Sequence, residues 1–406
     1  MQTMHGVPFA RHEMVRVGLI GAGGRGRSQL GELLACDGVE VSAIADAQPA
    51  ALEQAAAQVR AAQPSAPATF AGEDGWCHLL ERDLDIVYIA TGWSTHTAYA
   101  AAALEAGKHA AVEVPAAVTL EECWQLVETS ERTRRHCIML ENCCYDYWET
   151  LVKRMVQAGL LGELTHAECA YIHDLRRELL ADSGSGLWRR QPHITRNGNF
   201  YPTHGLGPVA QCLDIGGHDA FDYLVSMSSR EAGLSAYRDS AMPAESPKRN
   251  EVYRCGDMNV SLIRTKRGRT IVLQHDVVTP RPYDRIFLLA GTKGIFRDYP
   301  PRLFLDGVGD HAAWPPQEAW IPLAEYKARY EDPLWTNLGE IARKRGGHGG
   351  MDFIMNYRLM QTMHEGLPPD SDVYDAAEWS APAPLSEQSA ANRSASVDFP
   401  DFGRHR

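Results

Sequence analysis

The chain has 406 residues, more than one ordinary hydrophobic core organises, so two domains are expected. A net charge of -12 argues against a nucleic acid as the main partner, because phosphate contacts need a surplus of Lys and Arg on one face. No apolar run approaches the ~18 residues that a membrane-spanning helix needs, so no membrane partner is predicted.

The first residues and the cysteines bear on the location of the protein. Residues 1–14 contain no apolar segment of the kind that a signal peptide carries. The sequence therefore leaves the location open between the cytoplasm and export with a removed signal. The 9 Cys residues lack a repeated C-x-x-C spacing, which favours buried reduced thiols over disulfides. The histidines show no metal-ligand spacing, and no metal site is predicted.

Strands and helices alternate along the first third of the chain. Apolar, β-rich runs predict strands at residues 15–20, 39–45, 84–90, 109–112 and 136–140. The stretches between them predict helices ending near Ala35 and covering residues 48–61, 95–105 and 120–134. This alternation is typical of right-handed βαβ units, so residues 14–141 are predicted to form a Rossmann domain with a doubly wound parallel sheet.

The pattern changes after Glu141. The following elements are predicted: a helix at 148–158, a strand at 163–172, antiparallel strands within 251–277 and 284–297, and a helix at 352–364. They predict an α/β substrate and oligomerisation domain over residues 142–379, built on a largely antiparallel open sheet. Residues 181–206, rich in Gly, Asn and Pro, predict a long ordered loop. Residues 380–406, rich in Ala, Pro and Ser, are predicted to be a mobile or surface-draped tail.

A glycine-rich turn follows the first predicted strand and opens a helix. Gly21 permits the tight turn, Gly23 lets the backbone approach a pyrophosphate, and Gly26 lets the helix pack close to the sheet. The helix N-terminus then offers unpaired N–H groups to phosphates. A G-x-G-x-x-G motif alone is weak evidence, but this strand–turn–helix context predicts a dinucleotide site.

Asp46 specifies which dinucleotide is expected. It lies at the end of the second predicted strand, twenty residues after Gly26, where a carboxylate accepts hydrogen bonds from the adenosine ribose. Its charge would repel a 2′-phosphate, so NAD is predicted rather than NADP. Arg25, beside the phosphates, weakens that preference slightly.

Two further segments follow strand ends, where ligands bind in open α/β sheets. Trp93 and His96 lie in one of them, and Glu113 and Val114 lie in the other. A cofactor role for Trp93 and His96 is expected from position, although both could equally cap a helix and pack its first turn.

The order of these features resembles two nested families. A Rossmann domain, a Glu-x-Pro segment and a following α/β domain resemble the Gfo/Idh/MocA oxidoreductases, most of which carry Lys where this chain has Val114. The further motifs resemble the NAD-dependent glycoside hydrolases of family 109, typified by α-N-acetylgalactosaminidases. These motifs are Glu113–Ala116, Met139–Tyr145, Tyr171–Arg176, Arg196–Asn199 and Tyr201–Pro208. The resemblance runs from about residue 15 to about residue 365.

The resemblance implies roles for individual residues. It puts the following on cofactor positions: Gly24, Arg25, Asp46, Trp93, His96, Glu113, Val114 and Asn142. It puts the following on sugar-binding or catalytic positions: Tyr171, Arg190, Tyr201, His204 and Tyr283. We expect Tyr171 to remove the C2 proton, with Arg190 or a nearby His lowering its pKa, and His204 to serve the C3 hydroxyl. These two roles could be exchanged.

The chemistry that the resemblance implies differs from that of ordinary glycosidases, which use two carboxylates. Oxidation at C3 by NAD acidifies the C2 proton, and its removal lets the aglycone leave by elimination across C1–C2. Water then adds at C1 and the ketone is reduced again, so NAD is recycled and the configuration is retained.

Two other functions remain open at this point. The chain could be a sugar or cyclitol dehydrogenase with net oxidation, although the missing Lys at Val114 argues against it. It could also be a non-enzymatic NAD sensor, although the polar, aromatic loop at residues 186–208 is hard to explain in a scaffold. The expected partner is a small glycoside or glycan terminus of unspecified sugar and anomer, and a homo-oligomer, a dimer or larger, is predicted.

Overall fold

A computed structural model describes residues 2–308 and 320–404. The helices are α1 (Gly24–Leu33), α2 (Pro49–Ala62), α3 (Gly75–Leu80), α4 (Trp93–Glu105), α5 (Leu120–Thr133), α6 (Tyr147–Gln157), α7 (Arg176–Leu179), α8 (Arg190–Thr195), α9 (Thr203–Cys212), α10 (Gly233–Ala241), α11 (Ala324–Tyr330), α12 (Pro333–Arg345), α13 (Met351–Glu365), α14 (Val373–Ser380) and α15 (Pro382–Ala391). The strands are β1 (Val15–Ile20), β2 (Val39–Asp46), β3 (Ala68–Ala71), β4 (Ile86–Ile89), β5 (His109–Val112), β6 (Cys137–Met139), β7 (Leu164–Ile172), β8 (Phe221–Ser228), β9 (Asn259–Thr265), β10 (Thr270–Asp276), β11 (Leu288–Gly291), β12 (Gly294–Arg297), β13 (Arg302–Leu305) and β14 (Val397–Asp398).

The chain divides into two compact units. The first unit comprises Met1–Asn142, Leu338–Ala381 and Asp401–Arg406, and the second comprises Cys143–Asn337 and Pro382–Pro400.

The first unit is built on a parallel sheet in the order β3-β2-β1-β4-β5-β6. Its interior strands β4 and β5 are fully buried, as expected for strands covered by helices on both faces. The predicted Rossmann sheet is therefore confirmed. The short elements β3 and α3 were not predicted, because runs of four and six residues carry too little periodicity.

The second unit contains a mixed sheet in the order β13-β12-β11-β7-β10-β9-β8-β14. The pairing of β7 with β10 is parallel, and the other pairings are antiparallel. The predicted α/β unit on a largely antiparallel sheet is therefore confirmed. The turn between β9 and β10 closes at Gly268, whose φ of +85° is a conformation that glycine adopts without strain.

The last part of the chain differs from the expectation. Residues Leu338–Ala381 belong to the first unit rather than to a single domain over residues 142–379. The segment expected as a tail forms α15, whose residues Leu385, Ser386 and Ser389 are buried, and β14, which pairs with β8. The Ala, Pro and Ser residues that predicted mobility are small enough to pack closely, and the hydroxyl of Ser389 accepts a hydrogen bond from the backbone N–H of Ser226 at 2.8 Å.

The cysteines agree with the prediction of reduced thiols. All nine lie in the described ranges as free thiols, and all but Cys77 are buried. In those same ranges, no helix is long and apolar enough to cross a membrane.

Candidate active site

The glycine turn of the first unit has the geometry of a phosphate-binding turn. A Cβ added to Gly26 would lie 1.8 Å from the carbonyl oxygen of Gly21, so only glycine allows this approach. Gly21 itself has a φ of +93°. A Cβ on Gly23 or Gly24 would instead meet no atom within 4 Å. The backbone at these two positions is therefore open to a ligand, which fits the pyrophosphate of a dinucleotide at the start of α1.

Asp46 lies against this turn at the end of β2. Its Oδ2 accepts a hydrogen bond from the backbone N–H of Ala22 at 2.6 Å, and its Oδ1 accepts one from Gln48 at 2.7 Å. These bonds hold the carboxylate where an adenosine ribose is recognised in Rossmann domains.

Arg25 is tied to two carboxylates. Its Nε donates to Glu113 at 2.7 Å and its Nη1 donates to Asp352 at 2.8 Å. The carboxylates offset the charge of the guanidinium, so Arg25 does not form the isolated cation that a 2′-phosphate requires. This arrangement removes the reservation that Arg25 raised about NAD.

His96 connects the two loops that follow β4 and β5. Its ring is buried, with Nδ1 at 2.8 Å from the carbonyl oxygen of Pro115 and Nε2 at 3.1 Å from that of Thr91. Burial lowers the pKa of His96, so the ring is neutral and donates to one of these carbonyls at a time. This geometry favours the packing role that the sequence had left open, with Trp93 buried in the same first turn of α4.

In the second unit, four residues predicted for the sugar site form an aromatic group, called here the ring cluster: Tyr171, Tyr201, His204 and Tyr283. The centre of the Tyr171 ring lies 4.4 Å from that of Tyr201, 5.5 Å from that of His204 and 6.0 Å from that of Tyr283. Tyr171 lies near the end of β7, Tyr201 just before α9, His204 in the first turn of α9, and Tyr283 before β11.

Gly205 explains why the start of α9 can approach β7. A Cβ at this position would lie 2.7 Å from the backbone nitrogen of Ala170, so a larger residue would push the helix away from the strand. Gly205 follows His204, and Ala170 precedes Tyr171. The close packing of glycine on the strand therefore brings the imidazole and the phenol together.

The cation beside Tyr171 is Arg189. Burial raises the pKa of Tyr171, whereas the charge of Arg189 and its hydrogen bond to the phenol act in the opposite direction. The Arg189 guanidinium also lies 5.2 Å from the centre of the Tyr201 ring, a cation–π distance. Neighbouring His275 stays neutral, since burial lowers its pKa to about 3.

Arg190 differs from its expected role beside Tyr171. Its Nε pairs with Glu251 at 3.1 Å and its Nη1 donates to the carbonyl oxygen of Leu179 at 3.0 Å. Two adjacent arginines cannot be distinguished from composition or spacing, because only the path of the chain through residues 184–195 decides which one faces the ring cluster.

Tyr283 is held by a buried charged group that sequence reasoning missed. Nη1 of Arg285 donates to its hydroxyl at 3.2 Å, while Nη2 of Arg285 contacts Glu149 at 2.5 Å and Asp146 at 2.7 Å. Burial raises the pKa of Glu149 to about 8 and that of Asp298 to about 6. Arg285 is close to Tyr283 in the sequence, but its carboxyl partners are 139 and 136 residues away, so no local pattern indicates them.

The comparisons with known proteins place a domain boundary at the same point as the compact units, near residue 142, but assign residues 338–381 to the C-terminal domain. Residues 15–141 match the oxidoreductase family with an NAD-binding Rossmann fold, so the first unit contains an NAD-binding domain. Residues 145–406 match the C-terminal domain of glycosyl hydrolase 109.

Whole-length similarity supports the same assignment. The chain is 54% identical to a glycosyl hydrolase family 109 protein of Solibacter usitatus over 99% of this chain and 91% of that one. It is 49% identical to one of Saccharopolyspora erythraea over 100% of this chain and 87% of that one. A solved levoglucosan dehydrogenase in complex with NADH and L-sorbose shares the fold, with a TM-score of 0.72, 19% identity and coverage of 96% of this chain and 100% of that one. This chain belongs to glycosyl hydrolase family 109.

Proposed function

We propose that the protein is a retaining glycosidase that recycles a tightly bound NAD and acts on N-acetylgalactosaminides or related glycosides. The observation that carries the proposal is the ring cluster with Arg189 against it. Ordinary glycosidases flank the scissile bond with two carboxyl groups. Phenol, imidazole and guanidinium groups instead suit proton transfers at a sugar ring that is oxidised and reduced during turnover.

The cofactor is held by residues of the first unit. The open backbone at Gly23 and Gly24 receives the pyrophosphate, and Asp46 accepts hydrogen bonds from the adenosine ribose. Arg25, Glu113, Val114 and Asn142 complete the cofactor positions, while Trp93 and His96 pack the first turn of α4. Bound NAD supplies a reversible oxidation at C3 of the sugar, which acidifies the proton on C2.

Tyr171 removes the C2 proton in this proposal. The electron pair of the C2–H bond forms the C1=C2 double bond as the aglycone leaves C1 with the electrons of the glycosidic bond. A phenol is a weak base at neutral pH, since the ordinary pKa of tyrosine is ~10 and burial raises that of Tyr171. Arg189 favours the phenolate and so makes the proton transfer easier.

His204 takes the proton of the C3 hydroxyl, in the place of the Lys that related oxidoreductases carry at Val114. Its ring lies 4.8 Å from that of Tyr201 and edge-on to it, so the imidazole is held by aromatic contacts. Tyr201 and Tyr283 orient the sugar, while Arg190 pairs with Glu251 and supports the segment that carries Arg189. Exchange of the C2 proton with solvent distinguishes the two roles. If replacing His204 rather than Tyr171 abolishes this exchange, His204 is the C2 base and Tyr171 serves the C3 hydroxyl.

A substrate screen tests the activity. Nitrophenyl glycosides of both anomers, acetylated and unacetylated at the 2-amino group, are incubated with NAD-loaded and NAD-stripped enzyme. We expect release of nitrophenol only from NAD-loaded enzyme, without net NADH. Sustained NADH accumulation on a free sugar would instead identify a dehydrogenase.

Isotope exchange tests the elimination. In deuterated water, the released sugar should carry deuterium at C2, because the proton that Tyr171 removes exchanges before water adds. Active enzyme that leaves C2 free of deuterium would exclude the mechanism. The variants Tyr171→Phe and His204→Ala should both lose turnover, and wild-type rates in both would remove these residues from the proton transfers.

A further inference from the structure

Asp352, in the first turn of α13, accepts hydrogen bonds from three side chains of the first unit. Its Oδ2 accepts from Nη1 of Arg25 and from Nδ1 of His348, both at 2.8 Å. Its Oδ1 accepts from Nδ2 of Asn142 at 2.6 Å and from Nη2 of Arg25 at 3.3 Å. The Asp352 side chain is only 1% exposed. Nothing in the sequence motifs singled out this residue.

The carboxylate is ionised despite its burial. Burial opposes the charge, but the hydrogen bond from His348 and the charge of Arg25 hold the pKa of Asp352 well below its usual range. A buried carboxylate with several donors is strongly oriented, because every displacement would leave a donor without its acceptor.

The backbone that carries Asp352 is also fixed. One turn further along α13, Nδ2 of Asn356 donates to Oε1 of Gln29 on α1 at 2.6 Å, and its Oδ1 accepts from the hydroxyl of Tyr88 on β4 at 2.9 Å. Nε2 of Gln29 in turn donates to Glu113 at 2.7 Å. α13 is therefore tied to the helix and the strands that border the glycine turn.

We propose that Asp352 is a positioning residue of the cofactor site, which sets the side chains of Arg25 and Asn142 for NAD without touching NAD itself. The two residues come from opposite ends of the Rossmann segment: Arg25 lies in the first turn of α1, and Asn142 lies three residues after β6. One buried anion fixes both at once. By offsetting the charge of Arg25, Asp352 also disfavours a dinucleotide with a 2′-phosphate.

The inference rests on the proposed cofactor roles of Arg25 and Asn142, but not on the glycosidase activity. Its test is therefore direct binding of NAD and NADP to the ligand-free full chain, measured by calorimetry, with the melting temperature of the ligand-free protein recorded beside it. The variants are Asp352→Asn, which removes the charge, and Asp352→Glu, which keeps the charge but displaces it by one methylene.

The matched control is Glu32→Gln. Glu32 is a buried carboxylate of the same unit, 2.6 Å from Nε of Arg345, and it holds no residue on a cofactor position. We expect Glu32→Gln to lower the melting temperature without changing the NAD affinity. Both Asp352 variants should weaken NAD binding at least tenfold. Asp352→Asn should also lower the ratio of the NADP dissociation constant to the NAD dissociation constant.

A double-mutant cycle separates positioning from a general loss of structure. In an Arg25→Met background, Asp352→Asn should weaken NAD binding much less than in the wild type, because one of the two side chains that it positions is already gone. NAD affinity within twofold of wild type in both Asp352 variants would overturn the proposal, as would equal losses with and without Arg25. If Asp352→Asn fails to fold, Asp352→Glu alone decides.

Discussion

The charge of Arg189 opposes the rise in pKa that burial imposes on the phenol of Tyr171. A second ring, that of Tyr201, lies 5.2 Å from the same guanidinium. Arg189 thus opposes the rise in the pKa of Tyr171, the proposed base, and also packs on the ring of Tyr201.

Replacing Arg189 by Gln should raise the pKa of Tyr171 further, because a cation that favours the phenolate is lost. We expect kcat to fall about 10²-fold, and the rising limb of the pH–rate profile to move to higher pH, since the base must be deprotonated to act. The measurement is kcat from pH 5 to 10. Arg190→Gln is the control variant. If it shifted the rising limb of the pH–rate profile and Arg189→Gln did not, Arg189 would not be the cation that acts on Tyr171.

The glycine turn offers a pair of substitutions with opposite consequences. Gly23→Ala adds a methyl group where no protein atom lies within 4 Å, so the melting temperature should stay near wild type. NAD binding should weaken by about 1.4 kcal/mol or more, a tenfold change, because the methyl group occupies the path of the pyrophosphate.

Gly26→Ala should instead destabilise the fold. The added Cβ would lie 1.8 Å from the carbonyl oxygen of Gly21, and relieving that clash costs about 3 kcal/mol or more. Urea unfolding of both variants, beside calorimetric NAD titration, measures the two effects. An unstable Gly23→Ala or a stable Gly26→Ala would contradict the described turn.

Two buried histidines should make the protein sensitive to acid. Burial lowers the pKa of His109 to about 3 and that of His136 to about 4, while unfolded histidine titrates near 6.5. The unfolded state therefore binds more protons than the folded state below about pH 6.5, and stability is lost as the pH falls from there towards 4. A shift of more than two pKa units corresponds to about 3 kcal/mol.

His109→Asn tests this acid sensitivity. Nδ1 of His109 accepts a hydrogen bond from the backbone N–H of His136 at 2.9 Å, and the Oδ1 of Asn can replace that acceptor without titrating. The free energy of unfolding of the variant should depend less on pH between 6.5 and 4 than that of the wild type. All other titratable groups are the same in both proteins, so the difference between the two pH dependences reports on His109. If the free energy of unfolding changed equally with pH in the variant and the wild type, His109 would not contribute to the acid sensitivity.

The helix α15 should matter for the loop before the ring cluster. The backbone N–H of buried Asn199 donates to Oγ of Ser386 at 2.9 Å, and Arg196 pairs with Glu387 at 2.8 Å. Ser386→Ala leaves the Asn199 N–H without its acceptor, at a cost of about 1–3 kcal/mol. We expect lower thermal stability and a higher KM, with exposed Gln388→Ala on the same helix as a neutral control. A wild-type KM and stability for Ser386→Ala would show that α15 does not support the loop.

Local patterns explain which parts of the fold could be predicted. The parallel sheet followed from strand and helix periodicity, and the dinucleotide turn followed from the spacing of Gly21, Gly23 and Gly26 before Asp46. The prediction of a mobile tail after residue 380 failed because composition reports only local propensity, whereas Ser386 and Ser389 bond to residues 187 and 163 positions away in sequence.

The sequence by itself determined the Rossmann sheet, the preference for NAD and the motifs that carry the family, because each depends on residues close together in the chain. Only the tertiary structure decided that Arg189 rather than Arg190 meets Tyr171, that Asp352 joins Arg25 to Asn142, and that α15 supports the loop at Asn199. The contacts of Asp352 with Asn142 and of Ser386 with Asn199 join residues 210 and 187 positions apart, which no local pattern can pair. The choice between the adjacent Arg189 and Arg190 depends on the path that the chain takes between β7 and α9.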